Sequence, residues 1–411
     1  MICYIDPGTG SMLFTILIGL IGTGFYALRM FVIKMKFKIS GGKAGYNDEK
    51  IPFAIFSDDK RYWKIFEPIC KEFEKREKEI VYMTASKDDP ALNNDFKYVK
   101  TTFIGDGNKA FSKLNFLRAS ILLSTTPGLE VYQWKRSKEV DYYVHIPHAA
   151  SEITLYRMFG IDYYDSILLS GEYQANDIRN LEKLRNLPAK ELEYVGIPYM
   201  DEMLKRVKET PVQKNEQKTV LLAPSWGPSA ILSVYGEKII DAILNTGYQL
   251  IVRPHPQSFK SETEMIERLM SKYPDSDKIQ WNRDTDNFNV LSKSDILISD
   301  FSGVVFDFTL IFDKPIIYTN PDFDISLYDA WWLDTPLWTK SALPRLGMQL
   351  TSDNFDDLSH LIDTCLSDPK FKLGRDEVRS ETWKFVGQGA VKTADYLIAK
   401  YEEIKKSKEV K

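Results

Sequence analysis

Two stretches of the chain set a histidine beside proline at the end of an apolar run. They are YVHIPHAASE, residues 143–152, and LIVRPHPQS, residues 250–258. The chain has only four histidines in 411 residues, so this repeated placement stands out. In the second stretch Pro254 and Pro256 fix the backbone on either side of His255 and end the strand ladder. Strand alternation puts Arg253 and His255 on one side of that strand end. A permanent cation beside a group that donates a proton or hydrogen bond near neutrality makes an anion pocket. The competing reading is a packed loop histidine with a solvated arginine, and this stretch alone leaves the two open.

A third stretch, LISDFSGVVFDF, runs from 297 to 308. It reads as a strand ending at Ser299–Asp300, followed by Ser302 and Gly303 opening a helix. Free N–H groups and partial positive charge at a helix start suit phosphate. Gly303 lets a ligand approach the backbone, and Ser302 serves as phosphate donor, as helix cap, or as both. Across a cleft from such a pocket, His148 suits the role of general base. His145 and His148, three apart on a strand, are expected on opposite faces. With no third ligand evident, no metal site is expected, and His145 reads as structural. His360 reads as a surface residue of a C-terminal helix.

Alternating strands and helices must position these groups. IPFAIF, EIVYMTA, ASILLSTT, DYYVHIPH, DSILLSG and LEYVGIP read as strands separated by helix-like stretches such as YWKIFEPICKEFEKRE. A polar run over 205–218 marks a boundary, and the pattern restarts with TVLLAP, YQLIVRP, KIQWN and DILIS. The expected fold is α/β, with two Rossmann-like domains facing a cleft at their strand ends. The first domain is placed at 51–204, the second at 219–375, and a helical tail at 376–411.

Charge and cysteine usage narrow the class. There are 54 Lys and Arg against 58 Asp and Glu, a net charge of −4, so no basic excess points to nucleic acid. Cys3, Cys70 and Cys365 are scattered and odd in number, which fits a reducing compartment. From 12 to 33 the chain reads MLFTILIGLIGTGFYALRMFVI, with Arg29 its only charge. That composition predicts a transmembrane helix over residues 1–33, since about 20 apolar residues cross a bilayer. A cleaved signal peptide fits less well, because no basic residue precedes the apolar run. A basic linker at 34–50, with Lys34, Lys36, Lys38 and Lys43, predicts a single-pass protein of the cell membrane with its bulk in the cytoplasm.

These motifs resemble the CDP-glycerol:poly(glycerophosphate) glycerophosphotransferases, the teichoic-acid polymerase and primase family. RPHP matches a strand-end motif in which a basic residue precedes His-Pro. SDFSGVVFDFTLIFDKPII keeps the spacing of the family's second motif, with Gly303 in place of a second serine. IPHAAS corresponds to an upstream Trp-His-Gly motif and lacks its tryptophan and glycine. LEYVGIPYMDEML and VLLAPSW match further regions, so the likeness covers roughly 141–397. The resemblance implies a GT-B arrangement and transfer of a polyol phosphate, glycerol phosphate foremost, from a CDP-polyol to a hydroxyl of a membrane-linked glycan or teichoic-acid-like polymer. CMP is released. It implies His148 as general base, His255 as a second catalytic group, and Arg253, Ser302, Gly303 and Asp307 at the donor phosphate and nucleotide. It implies no resident cofactor beyond the CDP-polyol co-substrate, with Mg²⁺ riding on the donor's phosphates as the one metal to consider.

Two other readings remain open on sequence. One is a nucleotide-sugar glycosyltransferase of the same fold, which fold alone does not separate. The other is a catalytically silent, membrane-anchored member of a cell-envelope assembly, which the departures around His148 keep in view. Trp331, Trp332 and Trp338 read as a packed loop over the domain edge, with stacking on a sugar or base as the alternative.

Overall fold

Seven parallel strands build the first sheet: β1 (Ile51–Ser57), β2 (Ile80–Thr84), β3 (Val99–Phe103), β4 (Ala119–Ser124), β5 (Val140–His145), β6 (Ser166–Leu169) and β7 (Glu191–Tyr194). Six more build the second: β8 (Thr219–Leu222), β9 (Gln249–Val252), β10 (Ile279–Trp281), β11 (Ile296–Ser299), β12 (Ile316–Tyr318) and β13 (Gly347–Gln349). The computed structural model describes residues 16–28, 31–32, 50–210, 217–284, 286–320 and 324–409. The sheet orders are β3-β2-β1-β4-β5-β6-β7 and β10-β9-β8-β11-β12-β13. Both are doubly wound, with the order reversing beside β1 and beside β8. Ligands of such sheets bind outside the carboxyl ends of the strands at that reversal.

The strands are apolar runs because helices cover both faces of each sheet. In β1, β4 and β11 nearly every residue is buried. The helix Trp63–Lys75 follows β1 and turns Trp63, Ile65, Phe66, Ile69, Cys70 and Phe73 inward. One apolar cluster joins the two halves. It takes Ala150, Ile197, Tyr199 and Met200 from the first and Leu221, Val305, Phe306 and Phe308 from the second. Apolar burial of this kind stabilises by about 25 cal/mol per Å². It presses the loop after β5 against the segment after β11, the two places where sequence put chemistry.

The C-terminal residues are helical and pack back onto the body of the protein. The helix Pro369–Thr382 starts ahead of the expected boundary at 376, and the helix Gly389–Glu409 returns to the first sheet. There Ala394 and Leu397 join the core around Phe53, Ile55 and Ile121. The crossing strip passes too close for side chains. A Cβ on Gly171 would lie 2.0 Å from the Glu381 carbonyl oxygen, and one on Gly196 2.3 Å from that of Lys384. Asp201 fastens the strip by accepting from the Gly389 N–H (2.7 Å), the Gly387 N–H (2.6 Å) and Trp383 Nε1 (3.0 Å). The polar run expected as a boundary is helical as far as Glu209, and 211–216 lie outside the described residues.

The N-terminal expectation is corrected. Among the described residues no helix is long and apolar enough to cross a membrane. The continuous helical stretch described there, residues 16–28, extends about 20 Å at 1.5 Å per residue. A bilayer's hydrocarbon core is about 30 Å thick. Apolar composition alone suggested a span, but the described helix falls short of one, so the transmembrane helix and the single-pass membrane placement are not supported. The remainder of that segment, and the linker up to 49, lie outside the described residues.

Candidate active site

β5 ends at His145, and Pro147 turns the chain so that His148 sits in the loop beyond it. Because the strand stops there, the two histidines do not diverge as strand alternation predicts. Both rings meet one hydroxyl: Tyr156 Oη lies 3.2 Å from His145 Nε2 and 3.3 Å from His148 Nδ1. His145 is wholly buried. Burial pushes its pKa down to about 3, with a smaller push from His148. Burial lowers His148 to about 4, and the charges of Arg61 and Lys64 add to the effect. The Tyr62 ring lies over His148 at 5.2 Å between centroids. Arg61, Tyr62 and Lys64 come from the turn and first helical residues after β1, where Asp59 accepts from the Arg61 N–H at 2.9 Å.

Across from them, β9 ends at Val252 and the chain passes through Arg253-Pro254-His255-Pro256. Arg253 Nη1 donates to Asn282 Oδ1. The Gln257 N–H donates to His255 Nδ1 at 3.1 Å, which leaves the ring proton of neutral His255 on Nε2. Burial lowers the His255 pKa, then Arg61, while Glu262 raises it. Arg61 therefore acts on both histidines. The Trp226 indole is 48% exposed and its ring lies 6.4 Å from that of His255. Asp300, at the end of β11, holds this wall by accepting from the Ser225 and Ile231 N–H groups, both at 2.9 Å. Ser299 Oγ donates to the Ala223 carbonyl at 2.7 Å.

The helix after β11 starts at Val304 with Gly303 as its cap, so Ser302, expected as the cap, stands one residue ahead of it. Ser302 is half-buried and Gly303 exposed. A Cβ on Gly303 would lie 3.9 Å from Ala149 Cβ, an ordinary contact, which brings this turn beside the residue next to His148. Asp307 lies within the influence of Lys64, which also acts on His148. It is 6% exposed and accepts from Tyr199 Oη at 2.5 Å. Burial raises its carboxyl, and Lys64 and Tyr199 oppose that. It joins the helix that follows β7 to the second half.

The structure thus brings Gly303 beside Ala149, the neighbour of His148, and sets Arg61 where its charge acts on both His148 and His255. Asp307 lies in the junction beneath them. Sequence reasoning missed Arg61, Tyr62, Lys64 and Tyr156. A signal was present for the first three: SDDKRYWK follows β1, the strand beside which the sheet order reverses. Nothing marked Tyr156 among 22 tyrosines. Of the tryptophans, Trp338 packs between Tyr173 (4.3 Å) and Phe306 (5.3 Å), as a packed edge residue does. Trp331 is 60% exposed, and Trp332 lies over the Arg185 guanidinium at 5.1 Å.

The profile of the CDP-glycerol:poly(glycerophosphate) glycerophosphotransferases matches residues 44–330. The teichoic acid glycerol-phosphate primase of Bacillus subtilis is 27% identical over 172 residues, which are 40% of this chain and 41% of the primase. That of Bacillus spizizenii is 34% identical over 112 residues, 26% of this chain and 27% of its own length. The matches therefore span well under half of each curated relative. Among solved structures, a histidine-to-asparagine form of the wall teichoic acid polymerase TagF, soaked with CDPG, aligns with a TM-score of 0.57 at 16% identity, covering 93% of this chain and 98% of that one. The UDP-GlcNAc 2-epimerase of Neisseria meningitidis, bound to UDP-GlcNAc, aligns with a TM-score of 0.54 at 11% identity, covering 85% and 100%. At such identities the likeness establishes the fold of two parallel sheets.

Proposed function

Because the chain belongs to the CDP-glycerol:poly(glycerophosphate) glycerophosphotransferase family, we propose that it transfers glycerol phosphate from CDP-glycerol to a hydroxyl of a teichoic-acid-type acceptor and releases CMP. The observation that carries this reading is the convergence of the loop after β5 on the turn after β11, with Gly303 beside Ala149. A neutral histidine then stands on one side of the cleft and an arginine–histidine pair on the other. The donor's pyrophosphate is doubly negative and lies against Arg253, the Nε2–H of His255, Ser302 and the Gly303 backbone, with Arg61 reaching it from the first half. Trp226 offers an aromatic face for the nucleotide base.

In the reaction the acceptor oxygen bonds to the transferred phosphorus as the bond from that phosphorus to the CMP oxygen breaks. The hydroxyl proton passes to His148 Nε2, and CMP leaves with the electron pair. Little covalent work falls to the protein in such a step; positioning and charge stabilisation dominate. The depressed pKa of His148 keeps it neutral and able to accept a proton at neutral pH. Asp307 and Tyr199 fasten the junction beneath this cleft. Mg²⁺ carried in on the donor's phosphates would add to the same charge stabilisation.

Calorimetric titration of the purified protein with CDP-glycerol, CDP-ribitol, CMP and UDP-sugars tests the donor. Selective binding of CDP-glycerol, followed by CMP release on adding a glycerol-phosphate acceptor, is the expected result. Selective binding of a UDP-sugar would make this a nucleotide-sugar transferase. Binding of none by a demonstrably folded protein would make it a silent member of an assembly.

A further inference from the structure

Tyr156 has one hydroxyl proton and two imidazoles to satisfy. Its oxygen lies 3.2 Å from His145 Nε2 and 3.3 Å from His148 Nδ1. Both rings are neutral near pH 7, since burial depresses each. The phenol keeps its proton, since burial raises its pKa. A neutral imidazole carries one N–H, so only two arrangements satisfy both contacts. In the first, His148 Nδ1–H donates to Tyr156 and Tyr156 donates to His145 Nε2. In the second, His145 Nε2–H donates to Tyr156 and Tyr156 donates to His148 Nδ1. The tautomer of one ring therefore dictates that of the other, and only the first arrangement leaves His148 Nε2 bare.

We propose that Tyr156 and His145 are positioning residues that hold His148 with its proton on Nδ1 and a bare Nε2 available to take the acceptor's proton. The groups around the ring favour that choice. Nδ1 is engaged by Tyr156, so Nε2 is the nitrogen left for substrate. Arg61 and Lys64 are exposed, and both act on His148. An imidazole's dipole is negative at its bare nitrogen, and neighbouring cations favour the tautomer that offers them that end. His145 Nδ1 is buried and unpartnered among the described residues. It goes unmet in both arrangements, as a donor in the first and as an acceptor in the second; the unmet donor is the costlier, so the cations must outweigh that difference for the first to hold. His145 thus has a part in the reaction although it never meets substrate. The mechanistic side of this inference rests on the transfer reaction proposed above; the tautomer itself does not.

The test is a long-range ¹H–¹⁵N spectrum of the full chain labelled at histidine, near neutral pH and without donor. Four histidines make the spectrum readable, and His148→Gln assigns the His148 signals by their loss. The expected result is His148 protonated at Nδ1 and bare at Nε2, with a shift toward the Nε2–H form in Tyr156→Phe, which keeps the ring and removes only the hydroxyl. His148 protonated at Nε2 in the unmodified protein would overturn the proposal, as would a Tyr156→Phe spectrum with the His148 pattern unchanged. In a transfer assay Tyr156→Phe is expected to lower kcat about 10-fold with donor KM little changed. If no CDP-polyol is turned over, the proposed reaction fails, while the spectrum still decides the tautomer.

Discussion

His148 and His255 both follow a strand and neighbour proline, yet the chain holds them in opposite ways. At His255 a main-chain N–H, that of Gln257, occupies Nδ1, so the proton of the neutral ring must sit on Nε2. That ring is built to donate, which suits developing phosphate charge. At His148 the Nδ1 partner is a phenol hydroxyl, which both donates and accepts and which also serves His145. That ring's tautomer is tied to that of His145, and the arrangement proposed above leaves its Nε2 bare, which suits a group that must accept a proton. A short motif of histidine and proline fixes where a ring stands. What the ring does depends on the atom behind Nδ1.

The largest effect expected of this contrast is on turnover. His148→Ala should lower kcat by about 10²–10⁴-fold, the range for loss of a general base, with donor affinity nearly intact. Isothermal titration beside a CMP-release assay separates the two. A large loss of donor binding would move His148 to the donor side and erase the contrast.

Next in size is a stability effect on the wall that carries Trp226. Asp300→Ala leaves the buried N–H groups of Ser225 and Ile231 without their acceptor. The expected cost is about 3 kcal/mol in denaturant unfolding, since a lost charged acceptor and two unmet donors add. An unchanged midpoint would mean that the loop finds other partners and does not depend on β11.

This residue also shows what was legible in the sequence and what was not. The strands were plain wherever both faces are covered, because complete burial writes an apolar run. The edge strand β3, VKTTF, was missed because it is only partly buried, and β13 because three residues carry too little pattern. The spacing of SDFSGVVFDF marked the turn that meets the loop after β5, but several of its residues hold the frame: Ser299 and Asp300 tie down a loop, and Asp307 joins Tyr199. Motif spacing reports that positions are coupled and does not say whether each touches ligand. Arg61 and Lys64 escaped notice because their signal, a place just after β1 where the sheet order reverses, is legible only once the strand order is known. The apolar run at 12–33 was over-read for the converse reason, since composition measures hydrophobicity and the described helix sets the length.

Arg253→Ala comes third. Removing one cation from a pyrophosphate pocket should weaken CDP-glycerol binding about 10- to 100-fold, as loss of a charge-assisted contact does. Arg61→Ala should weaken it less, because that side chain is exposed and already paired with Asp59 at 3.4 Å. Equal losses would place the phosphates nearer the first half than the comparison of the two histidines suggests.

The smallest effect concerns proton linkage. His148 is held at about 4 in the fold against about 6.5 when unfolded. Between those values the unfolded chain binds the extra proton, so the ring's contribution to stability is present above about pH 6.5 and is lost as pH falls toward 4. His148→Gln has no such proton to bind. From about pH 7 to about pH 5.5 the unmodified protein should therefore lose about 1 kcal/mol more stability than the variant. Urea titrations at the two pH values measure the difference, and subtracting the variant cancels the carboxylates whose burial acts with the opposite sign. The same subtraction with His255→Gln should give a difference of the same sign, because burial and then Arg61 lower that ring's pKa too, with Glu262 opposing. If the two differences match, the rings share one electrostatic setting, and the hydrogen bond behind Nδ1 alone separates donor from base.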